Sequence, residues 1–271
     1  MDSALPEPPR ILLTNDDGVD APGLAALRAS LSQVALVDVV APAKNWSYAA
    51  HAKTINLPLG VVSTTTADGQ PAWAVEGTPT DAVSIAILGL LPERPHLVVS
   101  GINRGPNLGG DVTYSGTVAA AMEGILLGVP SIACSIDRYD NPDYSFAARF
   151  AASLADLVLR EGMSAEVLLN VNVPGVAASE IAGVEITRLG RRIYRDVLTR
   201  HEDSTGKTHF VFRPQPATGE EDEGTDFRAI AERKVSITPI HLDLTSYPFI
   251  ERCRRWQPSL SSFLSLIRNT T

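Results

Sequence analysis

Apolar residues in this chain come in short, strand-length runs separated by stretches of helical spacing, and the alternation holds through roughly the first 175 residues. Residues 11–14 (Ile-Leu-Leu-Thr) make the first run, and 34–40 the second, rich in β-branched side chains. Further runs at 72–75, 97–99, 131–135 and 167–173 read as buried strands. Between them, residues 22–31, 78–90, 116–127 and 144–160 carry helical patterns. The first opens on Pro22, a residue suited to a first helical turn. The second opens on Thr78-Pro79-Thr80-Asp81, with Thr78 placed as N-cap and Asp81 in the first turn. The third is almost wholly small and apolar, which predicts a helix packed on more than one side.

Strand and helix alternating in this way predict an α/β protein: a doubly wound, Rossmann-like, mostly parallel sheet with helices on both faces. Beyond about residue 175 the character changes. Residues 184–188, 193–198, 208–213 and 235–240 read as strands, with 208–213 closing a long hairpin across the polar segment 199–207. Residues 214–226 are acidic and rich in Gly, Pro and Glu, the pattern of an exposed loop, and 260–268 form an amphipathic terminal helix. The expected organisation is a catalytic core over 1–175 and an extension over 176–271. That extension holds a β-hairpin arm, a returning strand and a helix with few local partners, elements suited to contacts between copies of the chain.

Composition narrows the classes. The formal net charge of −8 lacks the basic footprint of a nucleic-acid binder, so no duplex partner is expected. Cys134 and Cys253 are the two cysteines and form neither a zinc motif nor a disulfide framework. The opening residues, acidic and proline-rich, are not those of a signal peptide, and no apolar stretch reaches membrane-span length. A soluble, cytoplasmic protein is the expectation.

The chemistry gathers where strands end. Asn15-Asp16-Asp17-Gly18 follows the first run, Asn45-Trp46-Ser47 the second, and Ser100-Gly101-Ile102-Asn103 a later one. In doubly wound sheets ligands bind outside the carboxyl ends of the strands, so these clusters predict one composite site. Adjacent carboxylates repel unless a cation or hydrogen-bond donors compensate them. With the Asn103 amide and the Ser47 hydroxyl, Asp16 and Asp17 make four oxygen donors from three strand ends, a set suited to a hard divalent ion that keeps some of its waters. The simpler local reading is that Asn15 or Asp17 caps the next helix. Residues 101–117 then lead through four glycines between Gly101 and Gly110 into Tyr114-Ser115-Gly116-Thr117, where backbone N–H groups at a helix start form an anion site. It matches neither a Walker loop nor a dinucleotide fingerprint. His51 is a further candidate for substrate contact or proton transfer. Trp46 and Tyr48 could stack on a base or anchor their loop.

Taken together, Thr14-Asn15-Asp16-Asp17-Gly18, Asn45-Trp46-Ser47, Gly77-Thr78-Pro79-Thr80-Asp81, Ser100-Gly101-Ile102-Asn103 and Tyr114-Ser115-Gly116-Thr117 resemble the SurE (survival protein E) family. Residues 169–174 and 235–239 extend the likeness over nearly the whole chain. The resemblance implies a metal-dependent phosphatase of nucleoside 5′-monophosphates, with 3′-nucleotides and short polyphosphate as further substrates. It implies one divalent ion per subunit, Mg²⁺ or Mn²⁺, held by Asp16, Asp17, Ser47 and Asn103, with the two aspartates also catalytic. Asn45, Asn107, Ser115, Gly116 and Thr117 would contact phosphate or substrate, and the hairpin and terminal helix would be exchanged in a homodimer or homotetramer. Two routes fit: attack by water whose proton an aspartate takes, or direct attack by an aspartate. The competing class is a non-catalytic nucleotide sensor using the same site. One departure stands out: glycine commonly follows the serine matched by Ser47, and here Tyr48 follows, which bears on substrate range.

Overall fold

A computed structural model describes residues 8–193, 197–213 and 218–268. Its first strand, β1 (Arg10–Thr14), shows why the apolar runs are continuous. Ile11 and Leu13 point into one hydrophobic cluster and Leu12 into another. The same split divides Val39 and Ala41 from Val40, and Leu97 and Val99 from Val98. Side chains alternate along a strand, so a sheet covered on both faces needs apolar residues at every position.

The helices supply the covers. Helix α1 (Pro22–Leu31) and helix α4 (Ser145–Glu161) pack on the first face, and α2 (Pro79–Ile85) and α3 (Gly116–Leu126) on the second. Close approach explains the small residues of α3. A Cβ on Gly124 would come within 2.2 Å of Ser131 Oγ, so α3 lies almost against the sheet. Cys134 is fully buried in the core.

The other strands are β2 (Leu36–Pro42), β3 (Val61–Thr65), β4 (Pro71–Val75), β5 (Leu97–Arg104), β6 (Ser131–Asp137), β7 (Leu168–Pro174), β8 (Gly183–Ile186) and β11 (Lys234–Ile240). With β1 they form one nine-stranded sheet in the order β3-β4-β2-β1-β5-β6-β7-β11-β8. Pairing is parallel except for β3 with β4 and β7 with β11. The chain leaves β1 for β2 on one side and later returns to β5 on the other, so the sheet has its switch point at β1 and β5. A separate antiparallel hairpin is formed by β9 (Val197–Glu202) and β10 (Thr208–Arg213).

Several expectations change. Strand β3 was hidden in what reads as a polar linker, since an edge strand needs no continuous apolar run. Strand β5 runs through Asn103 rather than ending at Val99. Of the strand expected at 193–198, residues 194–196 lie outside the described ones, and β9 occupies part of the segment expected as a polar turn. The acidic stretch ends buried, with Thr225 capping a short helix α5 (Asp226–Ala231) and Asp226 fully enclosed. Helix α6 (Tyr247–Arg254) precedes the terminal α7 (Gln257–Arg268). The chain divides into a compact unit ending at His241 and a second beginning at Leu242.

Candidate metal and phosphate site

The site lies over the carboxyl ends of β1 and β5, at the switch point where such sheets bind ligands. Asn15 and Asp16, directly after β1, are nearly inaccessible, and Asp17 is half-buried. Capping does not explain them. Helix α1 has Ala21 at its N-cap with no side-chain bond, while Asn15 Nδ2 donates to Gly18 C=O at 2.8 Å. At β5 the register with β6 slips between Ser100 and Asn103, a bulge that re-aims the strand end. Gly101, at φ +141°, permits it, because a Cβ there would lie 2.4 Å from the Cys134 carbonyl oxygen. Asn103 Nδ2 donates to Gly105 C=O at 2.8 Å, leaving its amide oxygen for another partner.

Asp16 meets the start of α3. The Thr117 hydroxyl donates to Asp16 Oδ1 at 2.5 Å, and a Cβ on Gly116 would come within 2.6 Å of Asp16 Cβ. Ser115 is the N-cap, its hydroxyl accepting Val118 N–H at 3.1 Å. The first-turn amides of Gly116 and Thr117 have no intrahelical partner by the geometry of a helix start, so they remain free for an anion. Thr117 therefore spends its hydroxyl on the aspartate, and what it has left for a phosphate is its amide.

Burial pushes the Asp16 carboxyl up to about 6, opposed by the Thr117 bond and reinforced by the neighbouring charge of Asp17. Burial also raises Asp17, against the backbone N–H and positive charge of Arg104 and the Asn45 amide, which donates at 3.1 Å. Two carboxylates that are costly to ionise together, with Asn15 Oδ1 buried and unpartnered at the same strand end, fit an added cation. Among the described residues no group of three or more His, Cys, Asp or Glu side chains could hold a metal. The available donors are therefore two carboxylates with neutral oxygens, a set for a hard ion such as Mg²⁺ or Mn²⁺ rather than a soft one.

A cleft of about 750 Å³ opens beside these groups, lined by Asp16, Ser47, Asn103, Asn107 and Ser115 among others. Asn107 is anchored rather than loose. Its backbone N–H donates to Asn172 Oδ1 (2.8 Å), its carbonyl accepts from Asn170 and Asn172, and its side-chain amide donates to Ser135 (2.7 Å). Asn45 does not line the cleft. Its amide nitrogen holds Asp17 and its oxygen accepts Ser47 N–H at 2.8 Å, which makes it a splint between two candidate ligands.

His51 is turned away to Glu123, at 3.1 Å, where Lys53 (2.7 Å) and Ser84 also bind. It tethers the loop that carries Ser47 and is not placed for proton transfer at the cleft. Thr78 and Asp81 form a reciprocal capping box, and Asp81 further accepts from the Thr54 N–H and hydroxyl. Sequence reasoning missed Arg104, Tyr139 and Arg192, which also line the cleft. Arg192, paired with Asp111 at 2.9 Å, lies 81 residues from it in sequence, so no local pattern could reveal it.

The family described as "Survival protein SurE" matches residues 11–196. A protein of Chloroflexus aggregans named 5′-nucleotidase SurE is 48% identical over 91% of this chain and 98% of its own. One of the same name from Herpetosiphon aurantiacus is 48% identical over 89% and 96%. The crystal structure of a SurE protein from Aquifex aeolicus superposes with a TM-score of 0.80 at 39% identity, covering 92% of this chain and all of that one. A family match over residues 11–196 and relatives 48% identical over most of both chains show that the chain belongs to the SurE family.

Proposed function

We propose that this chain is a divalent-metal-dependent phosphomonoesterase that hydrolyses nucleoside 5′-monophosphates to nucleoside and phosphate. The carrying observation is the contact of buried Asp16 with the start of α3, which sets one of two adjacent carboxylates against a helix N-terminus beside a cleft that Asp16 and Ser115 line. The relatives named 5′-nucleotidase SurE support the reaction class. Asp16, Asp17, Ser47 and Asn103 would hold one Mg²⁺ or Mn²⁺. When bound, the ion supplies Lewis-acid polarisation of the phosphoryl group and a more acidic water.

The chain's own groups do the rest. The amides of Gly116 and Thr117, at the positive end of the α3 dipole, orient and neutralise the phosphoryl oxygens as charge builds on them. Arg104 brings positive charge to the cleft wall despite the chain's net charge of −8, while the charge of Arg192 is met by Asp111. Thr117 and Asn45 fix the two carboxylates so that little reorganisation is needed on binding. 3′-Nucleotides and short polyphosphate fit the same phosphate end and belong to the substrate panel.

Phosphate release from a panel of 5′- and 3′-nucleotides, with and without Mg²⁺ or Mn²⁺, tests the reading. Turnover that needs the metal and falls to below about a tenth in Asp16→Asn and Asp17→Asn is expected, a loss above ~1.4 kcal/mol of transition-state stabilisation. Nucleotide binding without turnover would instead favour a sensor.

A further inference from the structure

The outer wall of the cleft is aromatic. Tyr48, Tyr114 and Tyr139 reach it from three different loops and remain 72%, 55% and 51% exposed, so large ring surfaces face the opening. Tyr139 is seated on bare backbone: a Cβ on Gly105, at φ +103°, would fall 2.3 Å from its Cε1. Tyr48 holds left-handed backbone at φ +63°, a region that a bulky side chain rarely adopts and that glycine adopts freely. Its turn is pinned by Ala49 N–H to Trp46 C=O (3.0 Å) and Ala50 N–H to Tyr114 C=O (3.2 Å). The Tyr48 and Tyr139 phenols lie near enough that Tyr48 opposes ionisation of Tyr139, after the larger effect of burial. A strained, exposed aromatic at the mouth of a cleft points to a use for its ring.

We propose that Tyr48 is a specificity residue whose ring, with that of Tyr139, stacks on the flat heteroaromatic base of the substrate. The rim then selects nucleoside monophosphates over phosphate esters of plain sugars. Stacking of this kind is tolerant of base identity, because every base has a π-face. The cleft volume of about 750 Å³ suits a ligand with phosphate on the floor and a base at the rim. The inference rests on the phosphomonoesterase reading and deepens it.

The test compares wild type, Tyr48→Phe and Tyr48→Gly, each as the full chain with Mg²⁺ or Mn²⁺. Two substrates are used, adenosine 5′-monophosphate and ribose 5-phosphate, together with calorimetric binding of adenosine alone. In Tyr48→Gly the ratio of kcat/KM for nucleotide over sugar phosphate should fall about tenfold, mainly through KM, with adenosine binding weakened in parallel. Tyr48→Phe should keep both. An equal loss on the two substrates would overturn the proposal, because it would mean that Tyr48 only places Ser47; so would no loss on either. Adenosine binding that depends on Tyr48, without hydrolysis of either ester, would uphold the rim and sink the phosphomonoesterase reading. Hydrolysis of both esters without base preference would do the reverse.

Discussion

At the scale of single residues, the site depends on side chains that are missing as much as on those present. Gly116 is the clearest case, since α3 can begin against Asp16 only where no Cβ intervenes. Gly116→Ala should push the helix start and the carboxylate apart by a fraction of an ångström to about one. A displacement of that size far exceeds what in-line chemistry tolerates, so phosphate release should drop roughly a hundredfold. Overpacking should also cost about 1–3 kcal/mol of stability, readable in a denaturant melt. A variant with near-normal turnover would show that α3 does not need this contact. A second residue-scale expectation concerns Thr117→Val, which leaves the backbone amide in place but strips Asp16 of its hydroxyl donor. Loss of such a supporting bond typically weakens a metal by about 10–100-fold, which calorimetric titration with Mn²⁺ would detect. Unchanged affinity would remove Asp16 from the donor set. Asp16 and Gly116 were legible in the sequence because a strand end and a helix start each have a local signature. The contact between them was not, since it joins positions 101 residues apart in the Asp16–Thr117 bond.

At the scale of elements, the segment between β2 and β3 carries Ser47 and Tyr48 without regular structure of its own, and two buried carboxylates hold it. Asp81 binds Thr54, and Glu123 binds His51, Lys53 and Ser84. Burial opposes ionisation of Glu123, but these donors outweigh it and bring the carboxyl down from 4.5 to about 2. The folded state thus takes up the proton less readily than the unfolded chain. The stability from ionised Glu123 is present in full above about pH 4.5 and is lost as pH falls toward 2. Allowing for solvent around Lys53, the loss should be about 1 kcal/mol between pH 5 and 3. Glu123→Gln should show a lower stability at neutral pH, by a similar amount, and a flatter acid slope in urea titrations. A variant with the wild-type slope would mean that Glu123 does not govern it. Thr78, Pro79 and Asp81 announced their capping box in the sequence, whereas the second use of Asp81, toward Thr54, has no sequence signature. His51 misled for the same reason: a loop histidine near candidate ligands says nothing about which neighbour it meets.

At the scale of the whole molecule, the parallel core was legible and the rest was less so. Continuous apolar runs mark strands buried on both faces, so β1, β2, β5, β6 and β7 could be found in order. Strand β11 was found, but not its insertion between β7 and β8, because pairing direction leaves no mark in a single strand's residues. The unit from Leu242 onward poses a different question, since among its described residues Phe249, Trp256, Leu260 and Phe263 are 44–61% exposed. Phe249 and Trp256 meet edge to face with centroids 6.0 Å apart, and each still keeps close to half of its surface exposed among the described residues. Surface of this kind on two short helices is costly in water unless another copy buries it. We therefore expect the full-length protein to sediment as a homodimer or homotetramer, with this unit in the contact. Trp256→Glu combined with Phe263→Glu places charge where the apolar contact would form, and both positions are exposed within the subunit, so folding should be spared. Removing two aromatic anchors should weaken association by at least about a hundredfold, enough to reveal monomer by sedimentation equilibrium at micromolar concentration. Assembly unaffected by both substitutions would move the contact elsewhere, and the exposed hairpin residues Leu198, Phe210 and Phe212 would be the next to change.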